Sequence, residues 1–208
     1  MLIRVGDVRR RECLLILDWI EQAVARVQAG EVEPYAQIVE AYQKPIHRYC
    51  SRLLGSRSEA EDAVQDILVK AYLNIAAYRP VASFSSWLYK IAYHHCLDLI
   101  RRRSRQQRVL KLFQPAPPTE SPEQKVDRNI FSEPLAKALS RLNTEERNLL
   151  VLRIFEEQSF PEIAGIMDKN MEAVKKKYRR TLMKLAKMIS AYKGGSEWND
   201  KEALSKKM

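Results

Sequence analysis

Cationic side chains carry the most conspicuous chemistry of this sequence. Lys169, Lys175, Lys176, Lys177, Arg179, Arg180, Lys184 and Lys187 crowd one late stretch, with Glu172 the only acid among them. Arg101, Arg102, Arg103, Arg105, Arg108 and Lys111 form an earlier cluster. Long cations on a shared surface make charge-assisted hydrogen bonds to phosphates. The net charge of +10 and pI near 9.6 agree with a polyanionic partner, nucleic acid before others. Glu59, Glu61, Asp62 and Asp66 form an opposite patch. Carboxylates so spaced could hold a divalent metal, but no second carboxylate set or nucleophile accompanies them. Acids are also stabilised in the first turn of a helix, and contact with a basic protein surface is the better use. His47, His94 and His95 lack ligand-spaced partners, so neither a metal nor a cofactor is expected, nor an enzyme activity. Cys13, Cys50 and Cys96 are scattered, which argues against a disulfide framework and for small buried hydrophobes in a reducing cytoplasm.

Helices must position these groups. Glycines number 6 in 208 residues, and apolar residues recur at three- and four-residue spacing, which predicts an all-α protein. Pro34 opens a helix with the stripe Tyr35, Ile38, Val39, Tyr42, Ile46, Tyr49 and Leu53, which Pro45 could kink and Gly55 stops. Ser58 and Glu61 read as the capping box of a second helix, with Val64, Ile67, Leu68, Ala71, Tyr72 and Ile75 on one face. A loop over 79–83 leads to a third helix from about Ser85 to Arg103. On it Leu88, Ala92, His95 and Leu99 form one stripe and Trp87, His94, Asp98 and Arg101 a neighbouring one. The second stripe suits stacking on bases and holding a strand, although Trp87 could equally be ordinary core.

The pattern fails from Ser104 to about Asp127, where Pro115, Pro117, Pro118 and Pro122 mark a flexible linker. A second helical unit follows. Pro134 opens a helix with Leu135, Leu139 and Leu142, and Asn143 with Glu146 caps the next, which buries Leu149, Leu150, Leu152 and Ile154. Ser159 with Glu162 caps another, and the turn Asp168-Lys169-Asn170 precedes a last helix stopped by Gly194-Gly195. Two short helices so joined predict a helix-turn-helix. Val174, Tyr178, Leu182 and Leu185 form the buried stripe of the last helix, leaving Lys175, Lys176, Arg179 and Arg180 together on an adjoining surface. No window is apolar enough to span a membrane, and the run from Cys13 to Ile20 lacks a cleavage site, so a cytoplasmic protein is expected.

Several segments together resemble extracytoplasmic-function sigma factors. The run from Ser58 to Asp66 is similar to their region-2.2 core-binding motif. Phe84 to Ala92, continuing from Asp98 to Arg102, resembles regions 2.3 and 2.4. Leu142 to Arg153, Ser159 to Ala164 and Val174 to Lys177 resemble region 4. The resemblance implies two small helical domains, a region 2 bundle over 21–104 and a region 4 helix-turn-helix over 129–193. A linker over 105–128 joins them, with an extension over 1–20 and a tail over 194–208.

The same resemblance implies roles. Asp62, Gln65 and Asp66 would engage core RNA polymerase. Tyr78 and Phe84 would border the loop that receives an unpaired −10 base, and Trp87, His94, Asp98, Arg101 and Arg102 would line that element. Lys175, Lys176, Arg179 and Arg180 would contact the duplex −35 element. An anti-sigma factor, often membrane-anchored, would be a further partner, and the chain itself would not insert into a membrane. His94 stands where the family usually has Asn, Ala173 replaces a common Thr, and Lys176-Lys177 replaces a typical Ser-Arg. A polymerase-independent helix-turn-helix regulator is the alternative, but it would leave the acidic motif and the aromatic third helix without a purpose. A metal-dependent nucleic-acid enzyme would need ligands that the sequence does not offer.

Overall fold

The computed structural model describes residues 19–113 and 133–192, and every regular element in them is helical. The first unit comprises α1 (19–28), α2 (Pro34–Leu54), α3 (Arg57–Asn74) with a 3-10 turn at Ile75–Ala77, and α4 (Phe84–Phe113). The second comprises α5 (Glu133–Ser140), α6 (Thr144–Leu150) running into a π turn at Val151–Phe155, α7 (Phe160–Ile166) and α8 (Met171–Tyr192). Cys13, the linker prolines, Gly194-Gly195 and the terminal extensions lie outside the described residues.

Local chemistry explains most boundaries. Pro34 sits in the first turn of α2, where its missing N–H costs nothing. Pro45 lies inside a helix that continues past it. Gly55 ends α2 at φ 72°, and its N–H reaches the Ser51 carbonyl at 2.9 Å. The capping boxes expected at Asn143/Glu146 and Ser159/Glu162 are both present. The cap expected at Ser58 is not. Ser56, extended and directly after the left-handed Gly55, caps α3 instead and accepts from the Glu59 N–H at 3.3 Å. Ser58 is already inside the helix.

The helix expected to stop at Arg103 also differs, because α4 runs on to Phe113. The ten residues after Arg103 contain neither Pro nor Gly and are rich in Arg, Gln, Leu and Lys, all good helix formers, so nothing in them breaks the helix. The apolar stripe alone gave the early stop. Tyr72 is a third difference. Expected on the buried face of α3, it is exposed and rests on the ring of Tyr35 at 4.9 Å between centroids.

The two units do not sit apart. One continuous apolar core takes Ile20 and Val24 from α1, Ile38, Ile46 and Leu53 from α2, Ile67 from α3 and Leu88 from α4, together with Leu149, Leu152, Ile163 and Ile166 of the second unit. A smaller core joins Leu139, Leu142, Leu150 and Leu185. Polar groups line the seam. The Tyr49 hydroxyl donates to Asn148 Oδ1 at 2.7 Å with both residues fully buried. Arg147, buried to 2%, donates to the carbonyls of Leu139 (3.0 Å) and Leu53 (3.3 Å). Burial lowers its pKa to about 10, so it stays charged at neutral pH. Glu156 takes hydrogen bonds from Arg52 (2.8 Å) and Tyr89 (2.7 Å), while the Arg52 guanidinium covers the Phe155 ring at 4.5 Å.

Candidate functional site

Three surfaces carry the residues singled out from the sequence. On α3, buried Ala60, Ala63, Val64, Ile67, Leu68 and Ala71 fix the rotation of the helix. Asp62, Gln65 and Asp66 therefore project outward together. Exposed Val69 (57%) and Leu73 (72%) extend the same stripe one and two turns further. Sequence reading missed that extension, although the i, i+3, i+4, i+7 and i+11 spacing from Asp62 was available.

His95 underlies this surface. It is buried on α4, and its Nδ1 lies 2.7 Å from Lys70 Nζ. An ammonium can only donate, so Nδ1 accepts and the ring proton belongs on Nε2, which points to Asp66 Oδ2 at 3.7 Å. Burial, and then the Lys70 charge, push the imidazole pKa down and keep the ring neutral. His95 therefore sits as a buried, neutral ring between α3 and α4, beneath the acidic face.

The second surface is the start of α4. Phe84 and Tyr78 are buried to 1% and 3%, and their rings meet edge to face at 5.4 Å. Trp87 is half-buried against both, at 5.3 Å and 5.5 Å. Glu21 of α1 ties this cluster down by accepting from the Tyr78 hydroxyl (2.8 Å) and the Phe84 N–H (3.1 Å). Tyr78 and Phe84, expected to border the base-receiving loop, are buried and form the floor beneath Trp87. The loop over 79–83 stands clear, with Val81 at 95% exposure. His94, Asp98, Arg101 and Arg102 are exposed further along α4. Asp98 pairs with Arg101 at 3.5 Å.

The third surface is α8. Its stripe is buried at Val174 and Leu185 and half-buried at Tyr178 and Leu182. Thr181, also buried, was not anticipated, and its hydroxyl donates to the Lys177 carbonyl at 2.9 Å. The cations divide into two sets. Glu145 holds Lys169 (2.5 Å) and Lys177, Glu146 holds Lys184 (2.8 Å), and Glu172 holds Lys175 (2.9 Å). Burial pushes the Glu145 carboxyl up, but its two lysines outweigh that and leave it below the ordinary value. Lys176, Arg179 and Arg180 are exposed and make no ion pair among the described residues.

Sequence reading also missed Lys90, which bonds Asp168 across the seam, with His94 Nε2 reaching the other carboxylate oxygen at 3.3 Å. Among the described residues no group of three His, Cys, Asp or Glu side chains could hold a metal ion, and no helix is long and apolar enough to cross a membrane.

Comparison with known proteins agrees with this arrangement. Sigma-70 region 2 matches residues 38–106 and Sigma-70, region 4 matches 132–185. The ECF RNA polymerase sigma factor SigW of Bacillus subtilis is 28% identical over 82% of this chain and 96% of its own. The RNA polymerase sigma factor YlaC of the same organism is 32% identical over 72% and 88%. Among solved structures, the sigma factor RpoE in complex with the anti-sigma factor NepR from Bartonella quintana shares the fold. Its TM-score is 0.62 at 20% identity, covering 76% of this chain and 98% of that one. Both regions in order, on the fold that carries them, place this chain in the sigma-70 family of RNA polymerase sigma factors, within its extracytoplasmic-function group.

Proposed function

We propose that this sigma factor divides its task among the three surfaces above, docking on polymerase through α3, holding −10 bases on α4 and reading the −35 duplex with α8. As a sigma factor the chain binds core RNA polymerase and promoter DNA and directs promoter-specific initiation. The assignment of residues within that activity is our reading. Asp62, Gln65 and Asp66, extended by Val69 and Leu73, meet the polymerase. Trp87, His94, Asp98, Arg101 and Arg102 line the −10 strand, with Tyr78 and Phe84 bracing Trp87 from below and the loop over 79–83 receiving a flipped base. Lys176, Arg179 and Arg180 contact the −35 element directly, and Lys175 joins them when it leaves Glu172.

One observation carries this reading. The acidic face lies on α3 while the free cations lie on α8, so protein and DNA partners need not compete for one patch. Binding energy from α4 opposes the cost of unpairing and unstacking bases, so the chain acts without covalent chemistry. It works in the cytoplasm, where the polymerase is. An anti-sigma factor that covers these surfaces is a further proposed partner. Support comes from RpoE of Bartonella quintana, which was solved with such a factor.

Promoter-specific transcription by purified core polymerase, with and without the chain, tests the reading. Asp62→Ala with Asp66→Ala should weaken core binding. Lys176→Ala with Arg179→Ala should spare core binding and impair promoter selection. Wild-type behaviour of both pairs would remove the assignments.

A further inference from the structure

We propose that α1 positions the base-receiving loop, with Glu21 and Gln28 holding its ends in the shape that accepts a flipped −10 base. The proposal rests on the reading of that loop given above. It begins with one atom, Glu21 Oε1, which accepts from the Tyr78 hydroxyl before the loop (2.8 Å) and from the Phe84 N–H after it (3.1 Å). The Tyr78 hydroxyl also lies 2.9 Å from the Ala82 carbonyl, so its proton is shared between α1 and the far end of the loop. Gln28 follows Glu21 by about two helical turns and so shares its side of α1. Its Nε2 donates to the carbonyls of Ile75 (2.7 Å) and Tyr78 (3.0 Å).

α1 can serve as a fixed frame because its other face belongs to the core. Ile20, Ala23, Val24 and Val27 are all buried and set the rotation of the helix. Arg79 adds to the hold from within the loop, since its Nη1 folds back onto the carbonyls of Ala76 (2.8 Å) and Tyr78 (2.9 Å). The Tyr78 carbonyl thereby uses both of its lone pairs. At the other end Ser83 Oγ accepts from the Ser86 N–H at 3.2 Å. It also lies 3.5 Å from Glu162 of the second unit, at the outer limit of a hydrogen bond. Between these anchors the residues from Arg79 to Ala82 are exposed. The loop has fixed stems and an open crown.

Such a loop meets part of the cost of base capture in advance. Ordering backbone on binding subtracts from affinity, and a loop already held in its bound shape avoids that loss. Glu21 and Gln28 act through the loop without touching DNA, which makes them positioning residues. Their effect should be confined to the one base that the loop receives. A general loss of stability would instead weaken every contact of the −10 strand alike.

The test uses holoenzyme assembled from the full chain and purified core polymerase. The probe is a fluorescein-labelled fork-junction DNA whose single-stranded −10 segment has been selected from a random pool by the wild-type holoenzyme. Each −10 base is replaced in turn by an abasic site, and binding is followed by anisotropy. Val81→Gly identifies the position that the loop serves, as the one whose abasic penalty it reduces. At that position the wild type should lose about tenfold in affinity, in the range for one base held by a protein, and in Glu21→Ala the penalty should shrink to about twofold. Gln28→Ala, at an exposed residue, should lower the same penalty. Glu21→Gln, whose amide oxygen can still accept from both donors, should restore it. Penalties at the other positions, and core binding, should match the wild type. A Glu21→Ala penalty that stays at the wild-type value, or penalties that fall equally at every position, would overturn the positioning role. If Glu21→Ala does not fold, Gln28→Ala decides by the same criterion. A Val81→Gly chain that leaves every penalty unchanged would instead sink the reading of the loop as a base receiver, and the proposal with it.

Discussion

Replacing Tyr49 with Phe removes one hydroxyl from the seam and leaves the ring in place. The loss can be worked out from the surroundings of Asn148, which is fully buried and accepts the Tyr49 hydroxyl at 2.7 Å. Asn148 Nδ2 has no hydrogen-bond partner, so the variant leaves the whole side-chain amide unmet. An unmet buried polar group costs about 1–3 kcal/mol, and about 2 kcal/mol is expected here. For a chain of this size that lowers Tm by roughly 4–8 °C. Asn148→Leu should cost a similar amount, since it strands the Tyr49 hydroxyl instead. The double variant replaces both polar groups with apolar ones and should cost no more than either single change, a coupling of about 2 kcal/mol. Urea and thermal unfolding followed by circular dichroism would measure all four corners of the cycle. A Tyr49→Phe effect below about 0.5 kcal/mol with no coupling would mean that the two units are not docked in solution, and the seam would have to be abandoned.

Other outcomes follow from single sites. His95 has its pKa lowered by burial and by Lys70, so the unfolded chain takes up a proton more readily. Stability should fall as pH drops from the unfolded value of about 6.5 toward the folded one. In His95→Gln the urea midpoint should change less between pH 7.5 and 5.5, and an unchanged difference would refute the assignment. Asn143→Ala removes the capping box and should cost about 1 kcal/mol in thermal unfolding. Leu73→Ser, at a site exposed in the free chain, should leave Tm unchanged while weakening core-polymerase binding about tenfold. Equal binding would remove Leu73 from that face.

Local signals carried much of the fold. Pro34, Gly55, Asn143/Glu146 and Ser159/Glu162 each impose a start or stop through one or two backbone groups, and such effects can be read from a few neighbouring letters. The end of α4 was hidden because a polar, highly charged helix keeps no apolar stripe, and the stripe was the signal followed. The π turn at Val151–Phe155 was hidden too, since nothing in Val-Leu-Arg-Ile-Phe marks an inserted residue. For the site, the outward directions of Asp62, Asp66, Arg101 and Arg179 followed from helical spacing alone. The burial of Tyr78 and Phe84 did not, because Glu21 of α1 brings them under Trp87 from more than 50 residues away. Contacts such as Lys90 with Asp168 depend on how two units meet, and no local periodicity encodes that.

The lysines held by Glu145, Glu146 and Glu172 bear on how this protein should respond to ionic strength. Of the eight cations on and just before α8, Lys169, Lys175, Lys177 and Lys184 already have carboxylate neighbours, which leaves four to displace ions condensed on DNA. Counterion release by four phosphate contacts gives a log–log slope near −4, whereas eight would give about −7. If α8 reads the −35 duplex as proposed, the late basic stretch should therefore bind moderately and lose less affinity with added salt than its raw charge implies. Glu145 and Glu146 tie α6 to α8, and by occupying those lysines they should also reduce adhesion to non-promoter DNA.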